Sequence, residues 1–134
     1  MSAKFNFTYI FCNNLQKMED FYTDVLMLEL IWKSERDIAY MIDGHQFLIT
    51  LDENLELNNA SFSKQPGWEG GTASRTSWSF EYEAEDFKTI VENCKNNPDV
   101  ITYSLDAQWQ GYWSFPILDP MNNTIEITCT SEEL

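Results

Sequence analysis

A chain of 134 residues with 43% hydrophobic and 15% aromatic side chains has the material for one packed domain, or for two very small halves sharing a core. Eight basic residues against 22 acidic ones give a formal charge of −14, which repels a polyanion and argues against nucleic acid as a partner. No apolar run reaches the roughly 20 residues of a membrane span, and the opening residues lack the apolar segment of a secretion signal, so a soluble, cytoplasmic protein with no membrane partner is expected. Cys12, Cys94 and Cys129 are odd in number and lack a CxxC spacing, which suits buried, reduced thiols.

Residues 5–12, Phe-Asn-Phe-Thr-Tyr-Ile-Phe-Cys, form an aromatic and β-branched run and read as a strand. Asn13 or Asn14 then caps a helix on which Leu15, Met18, Tyr22 and Val25 or Leu26 recur at helical spacing, with Phe21 broadening the stripe. That stripe reads as ordinary core. Three extended segments follow, at residues 28–34, 38–42 and 46–51, the last two joined by Asp43-Gly44, a strong hairpin signal. Residues 52–76 are polar and rich in Gly, Asn and Ser, and read as a linker or mobile loop in which Trp68 has no obvious packing partner.

The order then starts again. Residues 77–83 alternate as a strand with Trp78, Phe80 and Tyr82 on one face. Asp86 caps a helix whose buried stripe is Phe87, Ile90, Val91 and Cys94, stopped by Asn97-Pro98. Strands are expected at 100–105, 110–118 and 124–130. The organisation is therefore a first βαβββ module over residues 1–55, a linker over 56–76 and a second module over 77–134. Between the last two strands lies a turn at Asp119–Asn122, in which Pro120 fixes φ, Asp119 can bond the turn backbone, and Asn122 or Asn123 can turn left-handed. Ile125 and Ile127 then point one way, and Thr124, Glu126 and Thr128 the other.

Three features resemble the vicinal oxygen chelate superfamily, which holds glyoxalase I, bleomycin and fosfomycin resistance proteins and extradiol dioxygenases. Asn14-Leu15 followed by Phe21-Tyr22-Thr23-Asp24-Val25-Leu26 is similar to the family's D-L-x5-F-Y-x-x-V-L-G. Asp119-Pro120-Met121-Asn122-Asn123-Thr124-Ile125-Glu126 is similar to its D-P-x-G-N-x-x-E. The duplicated βαβββ order is the third. Two positions depart from the pattern. Met27 stands where the family usually has Gly at the helix exit, and a Met at positive φ costs about 1 kcal/mol or more, so a different exit geometry is expected. Asn122 replaces the turn Gly, which Asn does cheaply.

The resemblance implies an α+β fold, with tandem βαβββ modules forming curled mixed sheets around a central cleft and helices outside. The cleft forms within one chain or between two subunits, and a homodimer is expected. Family metalloenzymes place ligands at points that carry over to Phe7, Leu48, Ser77 and Glu126, of which only Glu126 is a good ligand. The only histidine, His45, sits in the hairpin turn and reads as solvated. Glu81 shares the face of Ser77 and could approach Glu126.

Strand phase puts Phe7, Tyr9 and Phe11 on one cleft wall, and Ser77, Ser79 and Glu81 on the other. Trp109, Tyr112 and Trp113 could form a rim, as could Trp32 and Trp68. A charged Glu126 on a half-apolar wall is costly unless paired, and could anchor a cation or act as a general base. No nucleophile–base pair surrounds a solitary histidine, and Gly70-Gly71 lacks the Lys-Ser/Thr of a phosphate loop. The expected function is binding of a small aromatic or cationic molecule, with no metal or other cofactor. The alternatives are a divalent-metal-dependent lyase, isomerase or dioxygenase using Glu126, and a small-molecule sensor or interaction module.

Overall fold

The computed structural model describes residues 1–66, 68–72 and 76–134; the parts of the expected linker at Gly67 and at 73–75 lie outside the described residues. The chain divides into two compact units, Met1–Glu56 and Leu57–Leu134. Among the described residues, no helix is long and apolar enough to cross a membrane.

The first unit runs β1 (Phe7–Cys12), α1 (Leu15–Glu19), β2 (Glu29–Lys33), β3 (Asp37–Ile42) and β4 (His45–Leu51), with a π-helical continuation of α1 over Asp20–Val25. Its sheet has the order β1-β4-β3-β2, parallel between β1 and β4 and antiparallel elsewhere. Asn14 is the helix cap, its side-chain oxygen accepting from the Lys17 amide at 3.1 Å. Along the helix Met18, Phe21, Tyr22, Val25 and Leu26 are all buried. Tyr22 meets Phe21 edge-on at 5.0 Å and reaches Phe47 at 5.2 Å, so the helix is fixed to the sheet by rings. Truncating one such ring to alanine costs about 3–5 kcal/mol.

Met27 overturns the expectation of a different helix exit, because it adopts a φ of 56°. Leu26 is fully buried, and the Leu28 amide bonds back to the Tyr22 carbonyl at 3.0 Å, which requires the chain to reverse between them. The left-handed strain is tolerated at a side chain that is 56% exposed and has little packing to lose. Met27→Gly is therefore expected to raise the unfolding free energy by about 0.5–1 kcal/mol, the relieved strain exceeding the entropy cost of glycine. Met27→Val should lower it, and urea denaturation of the pair reads the opposite signs.

The second unit runs β5 (Ser77–Glu81), α2 (Ala84–Asn96), β6 (Ile101–Thr102), β7 (Gln108–Trp109), β8 (Trp113–Leu118) and β9 (Thr124–Cys129). Its sheet order β5-β9-β8-β6 repeats that of the first unit, with β7 also pairing β8. The register repeats as well. Tyr9 lies opposite Leu48 in the first sheet, and Ser79 lies opposite Glu126 in the second.

Three expectations need correction. The strand expected at 100–105 is two residues long, and the one at 110–118 begins only at Trp113, after a turn at Gly111, whose φ is 87°. Helix α2 starts before Asp86, after Glu83, so Asp86 is no cap. It sits with Glu85 in the first turn, where both charges face the positive end of the helix. The Asp119 carboxylate does bond its turn, accepting from the Met121 and Asn123 amides at 2.8 and 2.9 Å, and Asn122 takes a φ of 64°.

The polar segment after residue 56 is a strap bonded to the second sheet rather than a free linker. The Ser63 amide donates to Thr124 Oγ1 at 2.8 Å, Gln65 Nε2 to Ser77 Oγ at 2.5 Å, and Asn122 Nδ2 to the Asn58 carbonyl at 2.7 Å. Its neck closes where the Lys64 amide bonds the Thr72 carbonyl and the Thr72 amide the Phe62 carbonyl. Gly71 is required there: its φ is +92°, and a Cβ would stand 2.8 Å from the Lys64 nitrogen.

Burial also sets the response to alkali. The Cys94 thiol is pushed from 9.0 up to about 12 by burial. Burial likewise pushes the Tyr40 phenol from 10.0 to about 12, opposed by its hydrogen bond to Thr23. Tyr82 is pushed up by burial and then by Cys94 and Asp86. Each group holds its proton more tightly folded than unfolded, so this stabilisation is complete below pH 9 and is lost as the pH climbs from about 9 toward 12. Unfolding free energy should be level up to pH 9 and fall beyond it. Cys94→Ala should flatten the part of the fall that begins near pH 9, whatever its baseline.

Candidate functional site

Each sheet buries one face against its own helix and turns the other away. In the first unit Ile38, Tyr40, Phe47 and Ile49 are buried. Phe7, Tyr9, Phe11, Leu48 and Trp32 share the opposite face by register, with Tyr9 65% and Phe11 54% exposed. His45 lies on the helix side with Phe47, its Nε2 2.7 Å from Thr8 Oγ1 and its ring 4.5 Å from that of Phe5. It is thus packed rather than solvated, and it points away from the row containing Leu48.

In the second unit Phe80, Phe115, Ile117, Ile125 and Ile127 share the apolar face. The other face carries Ser77, Ser79 and Glu81 from β5, Thr124, Glu126 and Thr128 from β9, and Ser114 and Pro116 from β8. Tyr103 extends this row, its amide donating to the Pro116 carbonyl at 3.0 Å.

Glu126 is 8% exposed. Ser114 Oγ donates to its Oε2 at 2.5 Å and the Tyr112 hydroxyl to the same oxygen at 3.1 Å. Gln110 Nε2 in turn donates to the Tyr112 oxygen at 3.0 Å. Among the described residues no donor reaches Oε1. Burial pushes the Tyr112 phenol above its usual range, the Gln110 amide opposes this, and the Glu126 charge adds to it, so the phenol stays a donor.

Beside Ser114 lies a cavity of about 220 Å³. Ser114 and Pro116 line it from the sheet, Trp68 and Glu69 from the strap, and Tyr103 from beyond β6. Trp68 has a partner after all: its ring meets that of Tyr103 at 4.6 Å.

Two expected rim residues lie elsewhere. Trp113 pairs with Cys129 and meets Trp109 at 5.5 Å, so both indoles belong to the side of Phe115, away from Glu126. Strict alternation is the reason, since Ser114 faces Glu126 and its neighbour must face away. Tyr112, two places before Ser114, reaches Glu126 as described. Ser114 itself was missed, although a lone hydroxyl in the run Trp113-Ser114-Phe115 carried a readable signal. Tyr103 had none, because its partner Trp68 is 35 positions away.

The residues at the points where the family's metalloenzymes hold an ion do not fit one. Phe7 and Leu48 offer no lone pair, Ser77 Oγ is bonded to Gln65, and Glu126 stands alone. Glu81 lies opposite Thr128, one step along the face from the Ser79–Glu126 pair. Among the described residues no three His, Cys, Asp or Glu side chains gather to hold a metal.

This fold and these motifs are those of the vicinal oxygen chelate proteins. Residues 4–127 match the Glyoxalase/Bleomycin resistance protein/Dioxygenase superfamily, and the chain belongs to it. Among solved structures it is similar to a glyoxalase/dioxygenase from Nostoc punctiforme, at 16% identity over 96% of this chain and 92% of that one, with a TM-score of 0.77. It is also similar to the fosfomycin resistance protein FosX from Listeria monocytogenes, at 15% identity over 99% and 98% of the two chains, TM-score 0.70. Lactoylglutathione lyase from Agrobacterium tumefaciens is a third, at 16% identity over 96% and 94%, TM-score 0.61. At these identities the likeness is one of fold. No match was found among curated proteins.

The donors to Glu126 differ in what their loss should do. Ser114→Ala leaves a buried carboxylate short of a charge-assisted hydrogen bond and is expected to lower stability by about 1.5–3 kcal/mol in urea denaturation. Tyr112→Phe, at a less buried hydroxyl, should lower it by less than about 1 kcal/mol.

Proposed function

We propose that this member of the superfamily binds a small aromatic or cationic molecule without using a metal, on the acidic face of its second sheet. The observation that carries the reading is the state of Glu126. It is the one carboxylate among the four positions that carry over from the family's metalloenzymes, and two hydroxyls already occupy its Oε2. A buried carboxylate held in this way, with Oε1 unbonded by any described residue, suits the capture of one N–H or cationic group better than membership of a three-donor metal shell. The charge of −14 favours the approach of a cation in the same sense.

Elemental analysis of protein purified without chelator tests the reading. The expected result is no stoichiometric divalent metal, and no rise in melting temperature on adding Mn²⁺, Ni²⁺ or Fe²⁺. Small aromatic cations should raise that temperature, and Glu126→Gln should weaken their binding by about ten-fold, the loss of one charge-assisted contact. A stoichiometric metal that disappears in Glu126→Gln would sink the proposal and favour a metal-dependent lyase, isomerase or dioxygenase.

A further inference from the structure

The hydroxyls of Ser104 and Ser114 beside the cavity both give their protons elsewhere. Ser114 gives its only hydroxyl proton to Glu126, since a carboxylate can only accept. Tyr112 gives its proton to the same oxygen, so its own oxygen accepts from Gln110, which fixes the Gln110 amide with its nitrogen turned that way. Ser104 Oγ donates to the Asp106 carbonyl at 2.7 Å, and Gln108 Nε2 to the same carbonyl at 3.2 Å. Glu69 is a carboxylate and brings no proton. What these side chains offer to the cavity is therefore lone pairs from Ser104 and Ser114, the carboxylate of Glu69, and the amide oxygens of Gln108 and Gln110, each of which also keeps one N–H.

The remaining walls are rings. Trp68 and Tyr103 lie 4.6 Å apart with their planes tilted by 35°, and Phe62 supports Tyr103 edge-on at 5.2 Å. Aromatic faces attract a delocalised cation, and Trp attracts it most. A volume of about 220 Å³ lies below the ~300–1,000 Å³ of drug-sized pockets, which limits the occupant to one ring with a small head group.

We propose that this cavity, walled by the strap, is a subsite for a single planar ring bearing a donor-rich cationic head of the amidine or guanidine type. The inference rests on the metal-independent reading above and adds both the place and the chemical class. It also moves the aromatic wall of the site from Phe7, Tyr9 and Phe11 to Trp68 and Tyr103.

The test uses three probes of one size: benzamidine, which is cationic and donates; benzamide, which is neutral; and benzoate, which only accepts. Ligand-observed NMR titrations of the full chain are expected to give benzamidine a Kd of ~1 mM or tighter, at least about ten-fold tighter than benzamide, with benzoate weakest. Trp68→Ala should weaken benzamidine about ten-fold, and Tyr103→Leu should do likewise, while Trp109→Phe on the opposite face leaves it unchanged. Melting curves establish that each variant is folded. Equal or reversed affinities among the probes would overturn the chemical class, as would no binding by any of them. Benzamidine binding that survives both Trp68→Ala and Tyr103→Leu but is lost in Glu126→Gln would overturn the subsite and leave the metal-independent reading intact. A metal at Glu126 would overturn that reading alone.

Discussion

A carboxylate accepts hydrogen bonds and gives none, and at Glu126 this rule fixes the direction of the surrounding polar chemistry. Ser114 and Tyr112 must both point their protons at it, and Gln110 must then present its amide nitrogen to Tyr112. A buried acceptor with a single donor is poorly satisfied, and one with none is costly. The second sheet supplies two donors from one strand and its preceding turn, which makes the carboxylate compatible with a face that is largely shut from water. The same commitment leaves the neighbouring cavity rich in acceptors.

Delivery of that carboxylate depends on strand pairing. In each unit the first and last strands run parallel, and in each the residue third in the first strand stands opposite a fixed place on the last: Tyr9 with Leu48, Ser79 with Glu126. The two sheets therefore carry the same scaffold with opposite chemistry. Aromatic and aliphatic side chains occupy the face of Leu48 in the first sheet, and hydroxyls and carboxylates the face of Glu126 in the second. A one-residue slip would exchange each face for its core, so burial of Phe47 and Ile127 is what holds Leu48 and Glu126 in place.

Much of this was legible in the chain. The alternation of Thr124 to Thr128, the turn chemistry of Asp119 and Asn122, the Asp43-Gly44 hairpin and the stripe from Met18 to Leu26 are local patterns with local causes. The repeated order of strands and helix, and the resemblance to the family, followed from them. What failed was set by longer-range forces. Met27 is held left-handed by the burial of Leu26 and the bond from Leu28, which no local propensity reports. The polar composition of the strap concealed its anchorage, because Ser63, Gln65 and Asn58 bond partners far along the sequence. Trp109 and Trp113 were misplaced for a different reason. Strict alternation from Ser114 sets the phase of Trp113, and aromatic content alone does not report it.

The closed neck of the strap has a consequence of its own. Ser63 and Thr72 are held together by main-chain bonds alone, with Gly71 filling a space that no side chain can share. The neck brings the ends of that segment together, and Gln65 ties it to the sheet through Ser77 Oγ. A side chain introduced at Gly71 would therefore disturb the strap and the edge strand β5 together.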